Sequence, residues 1–192
     1  MKNRAAKLKL AFYRQSGDAV ARGLIGKILV HRLADGRVLR GRIVETEAYL
    51  GPADLASHSS KGRTKRTEVM FGRAGHAYVY FIYGMYEMFN IVAGETGEAH
   101  AVLVRAAEPM DGWAADLSGP GKLATRFEIK RSDNGLDLTG DRLFVVDDGS
   151  EPPTIGVSAR VGIDYAKQWV EAPLRFFDAG SAAVSGRAKR KR

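Results

Sequence analysis

Gly41-Arg42-Ile43-Val44-Glu45-Thr46-Glu47-Ala48-Tyr49-Leu50-Gly51-Pro52-Ala53-Asp54-Leu55-Ala56-Ser57-His58-Ser59 is the stretch on which the reading turns. It starts as a strand: Val38 to Tyr49 holds Val, Ile and Thr and no proline. Side chains alternate across a strand, so an unbroken pleat puts Leu39, Ile43, Glu45, Glu47 and Tyr49 on one face. Two carboxylates beside an apolar pair and a tyrosine are unusual for a plain core strand. Gly51-Pro52 then ends the strand, and His58 follows nine residues after Tyr49. A carboxylate at a strand end, flanked by an aromatic and a loop histidine, is how a scaffold presents an acid/base group to a pocket. The competing reading is an edge strand carrying ordinary surface glutamates. The carboxylates alone favour that second reading, so the neighbouring residues must decide.

On the N-terminal side, Ile28-Leu29-Val30 reads as a strand, and Asp35-Gly36 is a strong hairpin turn signal. The glutamate-bearing strand is therefore the returning arm of a hairpin. Residues 5–25 read as helical with interruptions. Asp18 is placed to cap a segment from Ala19 to Ile25, which Gly23 or Gly26 would end.

On the C-terminal side, residues 57–76 make a long polar segment. Lys61, Arg63, Lys65, Arg66 and Arg73 stand there against one acid, Glu68. Such a stretch is either functional or a solvated loop. Tyr78 to Tyr83 is an aromatic strand, Gly84-Met85-Tyr86 a turn, and Met88 to Val92 the next strand. Aromatic strands are usually core. A basic loop followed by an aromatic turn is also the pairing that grips a nucleic-acid backbone and stacks on, or wedges between, bases. Asn90 is either a satisfied core amide or a reader of a ligand edge. Arg105, at the end of a strand from Ala101 to Ala106, is either a surface charge or a pocket cation. Ser118-Gly119-Pro120-Gly121-Lys122-Leu123 opens a helix with Ser118 as the expected N-cap, and its N–H groups would suit a phosphate. Strands follow at Leu143–Val146, Val157–Val161 and Leu174–Phe177, with a helical turn at Ala166–Val170. The basic run Arg187 to Arg192 is expected to be a disordered tail.

The 192 residues suffice for one domain with a full core, and 45% hydrophobic with 27% charged residues is a globular balance. No run is long enough to cross a bilayer, and the first residues do not read as a signal peptide. The absence of cysteine excludes disulfides, thiol nucleophiles and cysteine-held metals. His31, His58, His76 and His100 show no close metal spacing. The net charge of +8 draws polyanions, nucleic acid being the common case and an anionic membrane surface the other. No basic amphipathic helix of adequate length supports the membrane.

The blocks Gly41–Gly51, His58–Ser59, Met70-Phe71, Tyr78–Tyr86, Asn90, Leu103–Pro109 and Ser118–Leu123 together resemble the alkyladenine (3-methyladenine) DNA glycosylase family, of the monofunctional purine-excising type. The resemblance implies an α+β domain over residues 1–186, built on a curved mixed or antiparallel sheet with flanking helices. It implies a repair hydrolase that flips a damaged purine out of double-stranded DNA and cleaves its N-glycosidic bond, acting as a cytoplasmic, nucleoid-associated (or, in a eukaryote, nuclear) monomer. Matched motifs make Glu47 the general base. Arg105 is its partner in holding water and the flipped nucleotide. Tyr49, His58 and Tyr80 form the stacking pocket, and Asn90 is the filter against guanine. Tyr83 becomes the wedge; Met85, Tyr86, Arg63, Thr64 and Ser118 become DNA contacts. No cofactor and no metal are expected. No lysine falls in the matched pocket, so a Schiff base with strand cleavage is not expected either. A non-catalytic nucleic-acid-binding module is the alternative, but it leaves Glu47 without a purpose. Two departures stand out. The segment between Pro109 and Ser118 is shorter than is usual in the family, and Lys65 and Thr67 replace its typical Pro and Asn.

Overall fold

The computed structural model describes residues 5–82 and 84–186; the proposed wedge Tyr83 and the basic tail 187–192 lie outside the described residues. The elements are β1 (Ala6–Lys7), α1 (Leu10–Tyr13), α2 (Gly17–Leu24), β2 (Ile28–Arg32), β3 (Val38–Leu50), β4 (Ala77–Ile82), β5 (Tyr86–Ala93), β6 (His100–Pro109), α3 (Pro120–Arg126), β7 (Leu143–Asp147), β8 (Ile155–Ser158) and β9 (Arg175–Asp178). Among the described residues, nine antiparallel strands form one sheet in the order β1-β7-β2-β3-β6-β5-β4, with β9 pairing both β3 and β8. The sheet is not closed into a barrel, and with its few helices the fold is α+β, as expected. No helix among the described residues is long and apolar enough to cross a membrane.

β3 is the axis of the sheet. Its first half pairs with β2 from Val38 to Arg42, its second half with β9 from Glu45 to Glu47, and its other edge runs along β6. The change of neighbour coincides with a bulge. Ile43 faces Ala107, Glu45 faces Ala106 and Thr46 faces Val104. Val44 is thus unmatched on β3, and Arg105 is unmatched on β6. A bulge of this kind breaks the strict alternation of a strand. Ile43 consequently joins Leu39 and Ala48 in the main core. Val44 packs with Ala106 and Val184, while Glu45 bonds Ser185 of the same C-terminal segment. The expectation that Leu39, Ile43, Glu45, Glu47 and Tyr49 share a face is therefore corrected: only the last three lie on the site side.

Both longer helices cover the opposite face. α2 buries Val20, Ala21 and Leu24, and α3 buries Leu123, Ala124 and Phe127, against Ile43, Phe89, Ile91, Val102 and Val104 of the sheet. Burying each such large apolar side chain contributes about 1.5–3 kcal/mol. Gly41 lets α3 come close, since a Cβ there would stand 3.0 Å from the Phe127 ring. Gly51 takes φ +78° in the turn that ends β3, where a Cβ would be 2.4 Å from the Glu98 carbonyl oxygen.

Other expectations shift. Ala6–Lys7 is a strand on β7, not helix, because its backbone finds partners at Val146 and Asp147. α2 starts at Gly17 behind Ser16, which places Asp18 inside its first turn rather than at the cap. β8 ends at Ser158, so Arg160 and Val161 leave the sheet. The basic segment after His58 is ordered by two 3-10 turns, His58–Lys61 and Glu68–Phe71.

Candidate active site

A cavity of about 320 Å³ opens on the sheet face opposite the main core, with Pro120 at the start of α3 in its lining. Tyr49, His58, Tyr80, Asn90 and Arg105 all line it, together with Val161 and Tyr165. The residues picked from the sequence as a base pocket are thus brought together. Glu47 is not in the lining; it stands directly behind three lining groups.

Glu47 is fully buried. Its Oε1 accepts the Val161 N–H at 2.7 Å, and its Oε2 accepts the Tyr49 hydroxyl at 2.9 Å and Arg105 Nη1 at 3.2 Å. A carboxylate stripped of water is tolerable only when paired and hydrogen-bonded in this way. Arg105, 8% exposed, is a pocket cation rather than a surface charge. Its Nε donates to Glu45 Oε1 at 2.8 Å and its Nη2 to Ser185 Oγ at 3.1 Å, so one guanidinium bridges both glutamates. Burial would lower its pKa, but Glu47 and Glu45 outweigh that and raise it. The same register shift that leaves Val44 unmatched frees Arg105 to reach both carboxylates.

Glu45 is an arginine-paired structural carboxylate. It accepts from Arg105, from Arg175 Nε at 2.7 Å, from the Ser185 N–H at 2.6 Å and from Ser185 Oγ at 2.8 Å. Burial pushes its pKa up; Arg105 first, then Arg175 and Ser185, overcome this and hold it below the ordinary carboxylate value.

The aromatic wall is built by contact. His58 and Tyr80 meet edge to face with centroids 4.5 Å apart, and Tyr78 lies 5.4 Å from Tyr80. His58 Nδ1 is 2.9 Å from the Tyr78 hydroxyl. Burial, helped by Arg66, pushes the His58 pKa down to about 4, so the ring is neutral at physiological pH. Burial raises the phenols of Tyr49 and Tyr80, with Glu47 adding to the shift at Tyr49. Arg66 is exposed, with its guanidinium 5.0 Å over the Tyr80 ring. Asn90 is buried on β5, and its Nδ2 donates to the carbonyls of Tyr78 and Met88 at 3.2 and 3.4 Å. With the nitrogen engaged on backbone, Oδ1 is the end left for a ligand.

The expected DNA contacts stand outside this lining. Met85 and Tyr86 are exposed at the tip between β4 and β5. Arg63 packs over Phe71 at 5.3 Å, and the Thr64 hydroxyl lies 3.0 Å from that of Thr67. Ser118 does not cap α3, whose N-cap position is Gly119. Asp116 accepts the Ser118 hydroxyl at 2.5 Å, and Lys122 donates to the same carboxylate at 2.7 Å. Lys122, then Ser118, holds Asp116 far below the usual carboxylate range.

Several site residues were not singled out from the sequence. Val161 acts through its backbone N–H, which carries no side-chain signal. Arg175 had one, a cation at the head of an apolar strand. Arg160 and Asp54 form a buried pair behind Tyr49. No group of three or more acidic, histidine or cysteine side chains suited to a metal occurs among the described residues.

The cavity thus combines aromatic walls, the lining cation Arg105 and a buried carboxylate behind it, dimensions and chemistry that suit a flat ring. Residues 11–182 match the family model described as Methylpurine-DNA glycosylase (MPG), and the chain belongs to that family of DNA glycosylases. Three similar proteins each bear the name "Putative 3-methyladenine DNA glycosylase". One from Anaeromyxobacter sp. (strain Fw109-5) is 51% identical, over 93% of this chain and 92% of that protein. One from Methanocella arvoryzae is 45% identical, over 92% and 94%. One from Legionella pneumophila (strain Lens) is 47% identical, over 89% and 93%.

Proposed function

We propose that the protein is a monofunctional DNA glycosylase that flips alkylated or deaminated purines out of duplex DNA and hydrolyses their N-glycosidic bonds. The substrate class is 3-methyladenine, 7-methylguanine, hypoxanthine and ethenoadenine. The observation that carries this reading is Glu47, fully buried behind the aromatic cavity with Arg105 on one oxygen and Val161 N–H on the other. A carboxylate offers about four lone-pair sites. Three are used by Val161, Tyr49 and Arg105, which leaves one on Oε1 for water.

Extruding a base costs a few kcal/mol, and least for a damaged one. The extruded ring stacks between Tyr49, Tyr80 and His58. Neutral phenols and a neutral imidazole attract a cationic purine by about 0.5–2 kcal/mol. As the bond to the base breaks, the sugar takes oxocarbenium character, and the negative charge of Glu47 stabilises it. Glu47 accepts the proton of the attacking water while Arg105 fixes the carboxylate's orientation; a cationic base departs neutral, and a neutral one such as hypoxanthine departs as its anion and takes its proton from solvent. Asn90 at the cavity wall disfavours the 2-amino group of undamaged guanine, a penalty that 7-methylguanine offsets by its positive charge and weakened glycosidic bond. Arg63, Thr64, Tyr83, Met85, Tyr86 and Ser118 contact the duplex. No lysine lines the cavity among the described residues, which supports hydrolysis without a Schiff base. In this reading the catalytic unit is residues 1–186, a monomer acting in the cytoplasm, with the basic tail 187–192 outside it.

The test is release of free base from duplexes carrying each lesion, followed chromatographically with and without alkali. The expected result is free purine from an intact strand that breaks only after alkali. No release from any lesion, or strand cleavage without alkali, would overturn the proposal.

A further inference from the structure

Asp54 and Arg160 form no hydrogen bond to a side chain that meets a substrate, yet they tie together three segments that carry such side chains. Both are fully buried. Arg160 Nη1 donates to Asp54 Oδ2 at 2.5 Å and to the Ala48 carbonyl at 2.8 Å, and Nη2 donates to Asp54 Oδ1 at 2.9 Å. Asp54 also accepts the N–H of Leu50 on Oδ2 and of Ala56 on Oδ1, each at 3.0 Å. One pair therefore joins the end of β3, which carries Tyr49, the turn leading to His58, and the loop after β8. The residue after Arg160 is Val161, whose N–H holds Glu47 Oε1. The guanidinium also lies 4.8 Å from the Tyr49 ring.

Stability does not explain this arrangement by itself. A buried ion pair is often no better for stability than apolar residues of the same volume, and its attested use is to fix one geometry among several. Arg160 Nε is buried without a hydrogen-bond partner, a cost that a guanidinium placed only for its own bonding would not carry. Its position suits the Tyr49 ring and the Val161 peptide instead.

We propose that Asp54 and Arg160 are a positioning pair for the hydrolytic step, setting the Val161 N–H on Glu47. This rests on the glycosylase reading above. Arg160→Lys keeps the charge and removes the two-pronged grip on Asp54. Its single-turnover release of base should fall about 10–100-fold, the scale of a small misplacement at a reacting centre. Its affinity for lesion duplex should stay within about threefold, since Arg160 is buried away from DNA. Val161→Pro removes the N–H and leaves Asp54 and Arg160 in place, so it should show the same loss of rate at unchanged affinity. Arg160→Lys added to Glu47→Gln should cause no further loss, because the pair acts through Glu47.

Should Arg160→Lys fail to fold, Val161→Pro and Asp54→Asn carry the test by the same split between rate and affinity. A parent that releases base, with variants matching its rate or losing rate and affinity together, overturns the positioning role alone. A parent that releases no base from any lesion overturns the glycosylase reading, and this role with it.

Discussion

The Tyr49 hydroxyl donates to Glu47 Oε2 at 2.9 Å across a two-residue step of β3, so one side chain both lines the cavity and steadies the carboxylate behind it. Tyr49→Phe separates these duties, keeping the ring and removing the donor. A hydrogen bond to a charged group is worth about 1.5–3 kcal/mol, so single-turnover base release should fall about tenfold or more. Binding of lesion duplex should hardly change. An unchanged rate would reduce the phenol to a packing role.

Glu47 and Glu45 stand two residues apart and should fail in different ways. Glu47→Gln should bind lesion DNA at least as well as the parent, having lost a negative charge near phosphates. Its single-turnover rate should drop about 10²–10⁴-fold, the scale of a lost general base. Glu45→Gln leaves Arg105 and Arg175 poorly matched in a buried site, which costs on the order of 3–5 kcal/mol. It should therefore show first in a thermal melt. Full activity in Glu47→Gln with an inactive, stable Glu45→Gln would sink the assignment.

Acid should destabilise the fold through two groups whose folded pKa lies below the unfolded value. Burial and Arg66 hold His58 at about 4 against an ordinary 6.5, and Arg105 chiefly holds Glu45 below its ordinary 4.5. The unfolded chain binds more protons in this window, so the stabilisation is full above about pH 6.5 and is lost as pH falls. The loss from His58 is complete near its folded pKa; that from Glu45 sets in below its unfolded one. The melting temperature should be flat from about pH 7 to 8 and decline from about pH 6 towards 4. NMR titration of the His58 ring checks the cause: a midpoint near its ordinary value would refute it.

Arg63, Lys65, Arg66 and Arg73 are exposed on the segment that follows His58, so duplex affinity should fall steeply with salt. Each alanine substitution should flatten the log–log slope by about 0.9 for every phosphate it leaves without a cation. Arg66 should do more. Its guanidinium already rests on the Tyr80 face, where it competes with a cationic base and not with a neutral one. Arg66→Ala should raise release of 7-methylguanine relative to hypoxanthine. A constant ratio would show that Arg66 acts on the backbone alone.

The hairpin of β2 and β3 was legible because Asp35-Gly36 and Gly51-Pro52 mark its ends. Tyr49, His58, Tyr80, Asn90 and Arg105 become a set only through the family resemblance; read singly, Tyr80 suits a core strand, Asn90 a core amide and Arg105 a surface charge. The bulge was not legible, because Val44 is an ordinary strand residue and only its pairing across to β6 makes it extra. Val161 was hidden for a different reason, since every residue but proline carries an N–H. Ser118 misled because a nearby acid, Asp116, takes its hydroxyl. The strand at Ala6–Lys7 depends on a partner far along the chain, at Val146–Asp147, which local propensity cannot register.

Val44 works as a parity switch. Upstream of it, the odd-numbered Leu39 and Ile43 look towards the helices; downstream, the odd-numbered Glu45, Glu47 and Tyr49 look towards the cavity. The placement of the carboxylate is therefore a matter of counting from this residue. Val44 and Glu45 lie on one side between Ile43 and Thr46, so losing Val44 would restore plain alternation and keep both faces. Losing a residue on either side of this pair would instead send either Leu39 and Ile43 out of the core or Thr46 and Ala48 into the cavity. Away from that pair, a single inserted or deleted residue in β3 trades an interior for an active site.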